Sequence, residues 1–199
     1  MISKAFILED LKKNMTQKRF AHTLGVMETA VALAKRFGVD EEKAELAAMV
    51  HDCAKDIPEV EQLNLVREFG ILLDEISMVE TALVHAPLGA ALAKIKYGIE
   101  DPGILRAVKV HTTGDPKMTP LDKVIFLADY IEPGRNFPGV DRLRKVAFED
   151  LDEAVIMACD STIKYVIEGG RLLHPRMVEA RNCLLLEKLK RGEKNGEDN

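Results

Sequence analysis

Residues 44-AELAAMVHDCAKDIP-58 decide how this chain is read. An alanine-rich apolar run with helical spacing ends in an adjacent pair, His51 and Asp52, with Lys55 and Asp56 one turn further on. A carboxylate beside an imidazole, on a helix otherwise fit for a core, carries a desolvation cost that a metal ion or a tight polar network offsets. The alanines let neighbouring helices approach closely. The rest of the chain therefore reads as a helical scaffold around this pair, with further ligands supplied from elsewhere.

Working outward, helix start and stop signals recur throughout. Residues 3–14 read as a short amphipathic helix with Phe6, Ile7 and Leu11 on one face. Residues 17–37 read as a long one with the stripe Phe20, Leu24, Met27, Val31 and Ala34, ended by Gly38. Asp40 caps the helix that runs into His51, and Glu41 and Glu42 suit its N-terminal dipole. Downstream, Pro58 opens a helix that Gly70 stops, and Asp74 caps a segment reaching His85, after which Pro87 restarts the chain. Asp101-Pro102 begin a helix ending at His111-Thr112, and Thr119-Pro120 start LDKVIFLADYIEP. After the irregular NFPG segment come helices over 140–148, 151–168 and 175–190, and the polar tail 191–199 is expected to be disordered. Strand and hairpin signals are nearly absent. The sequence predicts an all-α fold, one multi-helix domain over residues 1–190.

At 199 residues and 47% hydrophobic, the chain can bury one sizeable core, and no Pro/Gly/Ser-rich linker divides it. A formal net charge of −5 argues against binding duplex nucleic acid, while leaving room for a local basic pocket that takes a small anion. Cys53, Cys159 and Cys183 are widely spaced without a CxxC pair, which favours reduced thiols over a disulfide framework. No apolar run is long enough to span a bilayer, and the N-terminal residues lack a continuous apolar core, so the expectation is a cytoplasmic protein without membrane contact. Leucine and methionine stripes are more often core than interface, so homodimerisation stays open.

All five histidines, His22, His51, His85, His111 and His174, fall at or near helix ends or joints, where side chains from separate helices can converge. Taken singly, each is as readily a satisfied structural histidine. Asp129, inside the apolar FLADYIE, is harder to dismiss, although a buried acceptor for a helix N-terminus is its bland reading. Two histidines and two aspartates with open positions suit a divalent transition metal such as iron, manganese or zinc. Such an ion acidifies bound water and polarises a phosphoryl oxygen, which is hydrolytic chemistry. Lys55 is placed to reach a phosphate there, the alternative being an ordinary solvated pair with Asp56. His85 and His111 could donate to phosphate, protonate the leaving group or hold a second metal. Arg135, in the loop after Pro133-Gly134, offers a fork for phosphate.

The ordered set His22, His51-Asp52 and Asp129 resembles the H…HD…D signature of the HD superfamily of metal-dependent phosphohydrolases. Over roughly residues 15–190 the likeness is closer still. RFAHTLG, MVHDCAKDIP, VHAPLGA, VKVHTTG, ADYIEPGRNFPGV and LLHPRMVEARN look like the bacterial symmetrical bis(5'-nucleosyl)-tetraphosphatases. The resemblance implies an enzyme holding one metal, taken to be iron, at His22, His51, Asp52 and Asp129, and cleaving diadenosine tetraphosphate to two ADP. It implies contacts to the nucleotide and its phosphates from Arg19, Lys55, His85, His111, Thr112, Arg135, His174 and Arg176, with His22 and Asp129 also beside the substrate. Asp52, Lys55, His85 and His111 are the expected catalytic groups. The competing readings are another nucleotide phosphohydrolase of the superfamily, such as a nucleotidase or guanosine polyphosphate hydrolase, and a regulatory module that binds metal and nucleotide without turnover.

Overall fold

A computed structural model describes the backbone of residues 2–197 and the side chains of residues 2–191. Among the described residues there are eleven α-helices, one 3-10 turn and no strand. They are α1 (Lys4–Asn14), α2 (Gln17–Phe37), α3 (Glu41–Val50), α4 (Glu59–Glu68), α5 (Glu75–Val79), the 3-10 turn Thr81–Leu83, α6 (His85–Tyr97), α7 (Pro102–Val110), α8 (Pro120–Ile131), α9 (Val140–Glu149), α10 (Leu151–Glu168) and α11 (Pro175–Glu197). The all-α expectation holds.

Most boundaries follow from caps legible in the sequence. Ser3, Thr16, Asp40, Asp74, Asp101, Thr119 and Asp150 each accept a backbone N–H with the side chain, satisfying donors that a helix start leaves open. Thr119 and Asp122 form a reciprocal capping box, so Asp122 belongs to the helix start while Asp129, two turns on, is free to serve elsewhere. Gly38 ends α2 at φ 68°, a left-handed conformation that glycine adopts without cost.

α3 is the central helix. It packs against α2, α6, α7 and α8, and Ala44, Ala47, Ala48, Met49 and Val50 are fully buried. A smaller cluster, Ala54 with Val66, Val84 and Leu88, props the segment after His51-Asp52 against α4 and α6. The sequence reading carries the helix one turn past His51-Asp52 to Lys55, and the structure corrects this. α3 stops at Val50, and tight turns follow, in which Cys53 N–H donates to the Val50 carbonyl and Lys55 N–H to that of Asp52.

Two apolar faces differ from expectation. On α1, Ile7 and Leu11 are buried but Phe6 is 53% exposed. On α2, Leu24 is 44% exposed and the buried face is Val26, Thr29, Ala30 and Leu33. His22, Val26, Thr29 and Leu33 share one side at helical spacing, so the face that carries His22 inward is the one buried, and its threonines masked it in the sequence. α11 continues past Lys190 to Glu197, while the side chains of 192–199, most of the tail expected to be disordered, lie outside the described residues.

Candidate metal centre

The side chains expected to bind metal converge although they come from far apart. His22 comes from the second turn of α2, His51 and Asp52 from the turn capping α3, and Asp129 from the last turns of α8. His22 Nε2 lies 3.0 Å from Asp129 Oδ1 and 3.8 Å from Asp52 Oδ2, and His51 Nε2 lies 3.5 Å from Asp52 Oδ2 and 4.0 Å from Asp129 Oδ1. His111, from the C-terminal cap of α7, joins them with Nε2 3.7 Å from Asp52 Oδ1. His85, the first residue of α6, brings its Nε2 to 3.2 Å from the same oxygen and 3.3 Å from His111 Nε2.

The outer nitrogens fix how the rings present themselves. His51 Nδ1 donates to the Ala48 carbonyl at 2.7 Å and His111 Nδ1 to the Val108 carbonyl at 2.6 Å. A carbonyl oxygen only accepts, so each ring carries its hydrogen outside and turns the Nε2 lone pair inward. His22 Nδ1 lies 3.1 Å from Glu132 Oε1, which orients it the same way. His22 Nε2 and His51 Nε2 are buried and have no hydrogen-bond partner, since a bare ring nitrogen and a carboxylate oxygen are both acceptors. Buried unpartnered lone pairs facing two carboxylates are what a cation offsets, and His22, His51 and Asp129 offer ligand atoms within 4.8 Å of one another, as do His51, Asp52 and His111. The donor set fits a divalent metal.

Electrostatics agree with an ionised acid pair. Burial would raise the Asp52 carboxyl, but His51, His111 and His85 around it hold it well below the usual range. Asp129 is likewise held low against burial, by His22, His51 and Arg135. Burial pushes His51 down and takes His85 to about 4, so both rings are neutral at neutral pH. Burial also acts to lower His22 and His111, and there the carboxylates win, Asp129 raising the one and Asp52 the other.

Cationic side chains ring the cluster. Arg19 Nη1 donates to Asp52 Oδ2 at 2.6 Å, and Arg135 donates to the Asp129 carboxylate and, through Nε, to its carbonyl at 2.8 Å. Lys55 is not paired with Asp56. Its ammonium sits 3.0 Å from both the Ala82 carbonyl and His85 Nδ1, and burial lowers its pKa. Asp56 instead accepts the backbone and hydroxyl hydrogens of Thr16, tying the start of α2 to the turn after His51. Thr112 lies beside His111 on the cavity walls. His174 and Arg176 do not reach the cluster; they line a separate small cavity with Thr112, where His174 Nε2 meets Asp74 Oδ2 at 3.0 Å and Arg176 meets Asp115 at 3.4 Å.

Two residues of the site escaped the sequence reading. Glu132 is buried, orients His22 and accepts the Gly134 N–H. A Cβ at Gly25 would stand 2.7 Å from Glu132 Oε2, so α2 reaches this carboxylate only with glycine there. Its position three residues after Asp129, in the same motif, was the available signal. Arg144, on α9, donates to the carbonyls of Ile131, Glu132 and Arg135 at 2.7–2.9 Å and so holds the loop that presents Arg135. Backbone acceptors leave no mark in the sequence.

An all-helical fold with a buried His/Asp centre defines a class of metal-dependent hydrolases, and residues 19–134 match the family model described as the HD domain. The chain belongs to the HD domain family. It is 44% identical over 180 residues, 90% of this chain and 96% of the other, to the symmetrical bis(5'-nucleosyl)-tetraphosphatase of Halalkalibacterium halodurans. The protein of that name from Bacillus subtilis is also 44% identical, covering 88% of this chain and 94% of its own. A crystal structure from Clostridium acetobutylicum, described as a predicted HD superfamily hydrolase involved in NAD metabolism, superposes with a TM-score of 0.91 at 46% identity, covering 94% of this chain and 99% of its own. Among the described residues no helix is long and apolar enough to cross a membrane.

Proposed function

We propose that this chain is a metal-dependent phosphohydrolase that cleaves diadenosine tetraphosphate symmetrically into two ADP. The observation that carries the reading is the pair of buried, unpartnered Nε2 atoms of His22 and His51 facing two ionised aspartates, inside a ring of Arg19, Lys55 and Arg135. The relatives' activity supports the substrate. His22, His51, Asp52 and Asp129 would hold the ion, with iron the choice suggested by the resemblance and manganese or zinc compatible with the donors. When bound, a divalent ion supplies Lewis-acid polarisation and an acidified water.

The protein's own groups account for the rest of the reaction. Water oxygen bonds to one inner phosphorus, the central bridging P–O bond breaks, and the bridging oxygen leaves on the second ADP. Arg19 and Arg135, lying on the two carboxylates, are forks for phosphate oxygens as charge grows. The Lys55 ammonium against His85 Nδ1 favours the hydrogen on His85 Nε2, directed at Asp52 and His111; as that hydrogen passes to the leaving oxygen, Nδ1 takes a proton from Lys55, so the ring stays neutral and the ammonium becomes an amine. Thr112 borders the phosphate path, and His174 and Arg176 frame one nucleoside in their cavity.

One observation favours a second arrangement. If His85 Nδ1–H donates to Ala82 at 2.8 Å instead, its Nε2 lone pair faces that of His111 at 3.3 Å with Asp52 Oδ1 beside both, and these three atoms would take a second cation. Elemental analysis separates the two, one metal per chain against two. The test of the function is product analysis of diadenosine tetraphosphate incubated with the iron-loaded protein beside an Asp52→Ala control. ADP alone, lost in the control, supports the proposal; AMP plus ATP refutes the symmetric cut, and bound metal without turnover of any nucleotide would favour a regulatory module.

A further inference from the structure

A substrate with two nucleosides needs two places to put them. His174 and Arg176 meet at a small cavity of about 160 Å³ on one side of the centre, and Arg176 also borders a separate one with Arg106 and Asp115. On another side lies a cavity of about 620 Å³ between α8, the loop 132–139 and α10. His111, Asp129 and Arg135 of the hydrolytic centre line it, together with the aromatic side chains of Phe126, Tyr130, Phe137 and Tyr165. Tyr130 and Phe137 meet edge to face with centroids 5.2 Å apart, while Tyr165 is 66% exposed, with the Arg171 guanidinium over one ring face.

Flat heterocycles stack on such rings, and the volume suits a nucleoside. The other large cavity on the centre, of about 840 Å³ along α2, has the carboxylates of Glu28 and Glu132 on its wall and Phe137 as its one aromatic ring. Lys18, Arg19 and Arg135 on the same wall suit it to phosphate, but a single stacking ring offers little to a base. We propose that the cavity between α8 and α10 seats the second nucleoside, its base against Tyr165 and Phe137. Ser161 and Thr162 line the same cavity and stand as hydroxyl partners for the ribose. The assignment rests on the function proposed above, and makes Tyr165 a specificity residue for substrates with a nucleoside on both ends.

The test compares kcat/KM for diadenosine tetraphosphate with that for adenosine 5'-tetraphosphate, which carries one nucleoside, in the iron-loaded wild type and the Tyr165→Ala and Tyr165→Phe variants. Loss of one stacking ring is worth about tenfold, so the ratio of the two constants should fall about tenfold in Tyr165→Ala, through KM, and return in Tyr165→Phe, which keeps the ring. Tyr165 is exposed, so removing its ring does not open the core. An unchanged ratio in Tyr165→Ala overturns the second subsite while the hydrolase reading stands. Wild type that fails to cleave diadenosine tetraphosphate overturns the hydrolase reading, and this proposal with it.

Discussion

Glu132 shows how much of the centre depends on a residue that touches no substrate. It accepts from His22 Nδ1 and from the Gly134 N–H, and so sets both the ring and the loop. Glu132→Gln keeps the shape but presents an amide where two donors need acceptors. Metal affinity should fall about tenfold, read by competition with a chromogenic chelator, while the far-ultraviolet dichroism is unchanged. The thiols give a second residue-scale expectation. Burial pushes Cys53 and Cys159 up to about 12, so neither holds appreciable thiolate near neutrality, and the Cys53 thiol, half-buried like Cys183, is also engaged by the Gly89 carbonyl. Timed iodoacetamide labelling of the native protein, read by peptide mass spectrometry, should modify Cys183 first. At this scale the sequence was most informative where a polar type interrupts an apolar run: His51, Asp52 and Asp129 stand out for that reason. Glu132 did not, since it sits where the helix is already ending and acids are ordinary.

Helix boundaries were legible because their signals are local, a side chain capping its own backbone within three residues. Faces were less so, because burial depends on what the neighbour presents. α1 illustrates this: Phe6 and Ile7 are adjacent apolar residues, and only packing decides which is buried. Phe6→Ser should change stability by less than about 0.5 kcal/mol, whereas Leu11→Ala should cost about 2–5 kcal/mol, both read from urea midpoints. The least legible element contact is α9 on the end of α8. Arg144 there serves three carbonyls, and a guanidinium donating to backbone looks in sequence like any surface arginine. Arg144→Met should cost about 2 kcal/mol in denaturant unfolding and lower kcat/KM, since the loop bearing Arg135 loses its anchor.

The whole molecule is assembled so that α2, the end of α3, α7 and α8 each send one or two polar groups to a single point. An ion bound there would add a direct link between helices held by apolar packing and a few polar contacts such as Arg19 to Asp52 and Arg106 to Asp122. Saturating metal at about a hundred times its Kd should add about 2.7 kcal/mol, raising the melting temperature by roughly 5–10 °C, and a chelator should remove that increment. Scanning calorimetry of loaded and stripped protein measures it, and Asp52→Ala should be insensitive to both treatments. Where the groups lie along the chain also sets a schedule for synthesis. The carboxylate that orients His22 comes 110 residues later, and Arg144, which holds that carboxylate's loop, later still. A ribosome must therefore release the chain through Glu132 before His22 can be oriented, so α2 and α3 emerge with their histidines still waiting for the rest of the centre. Metal loading is thereby placed after α8 has emerged, and a product truncated before α9 would carry every expected metal ligand without the arginine that holds the loop.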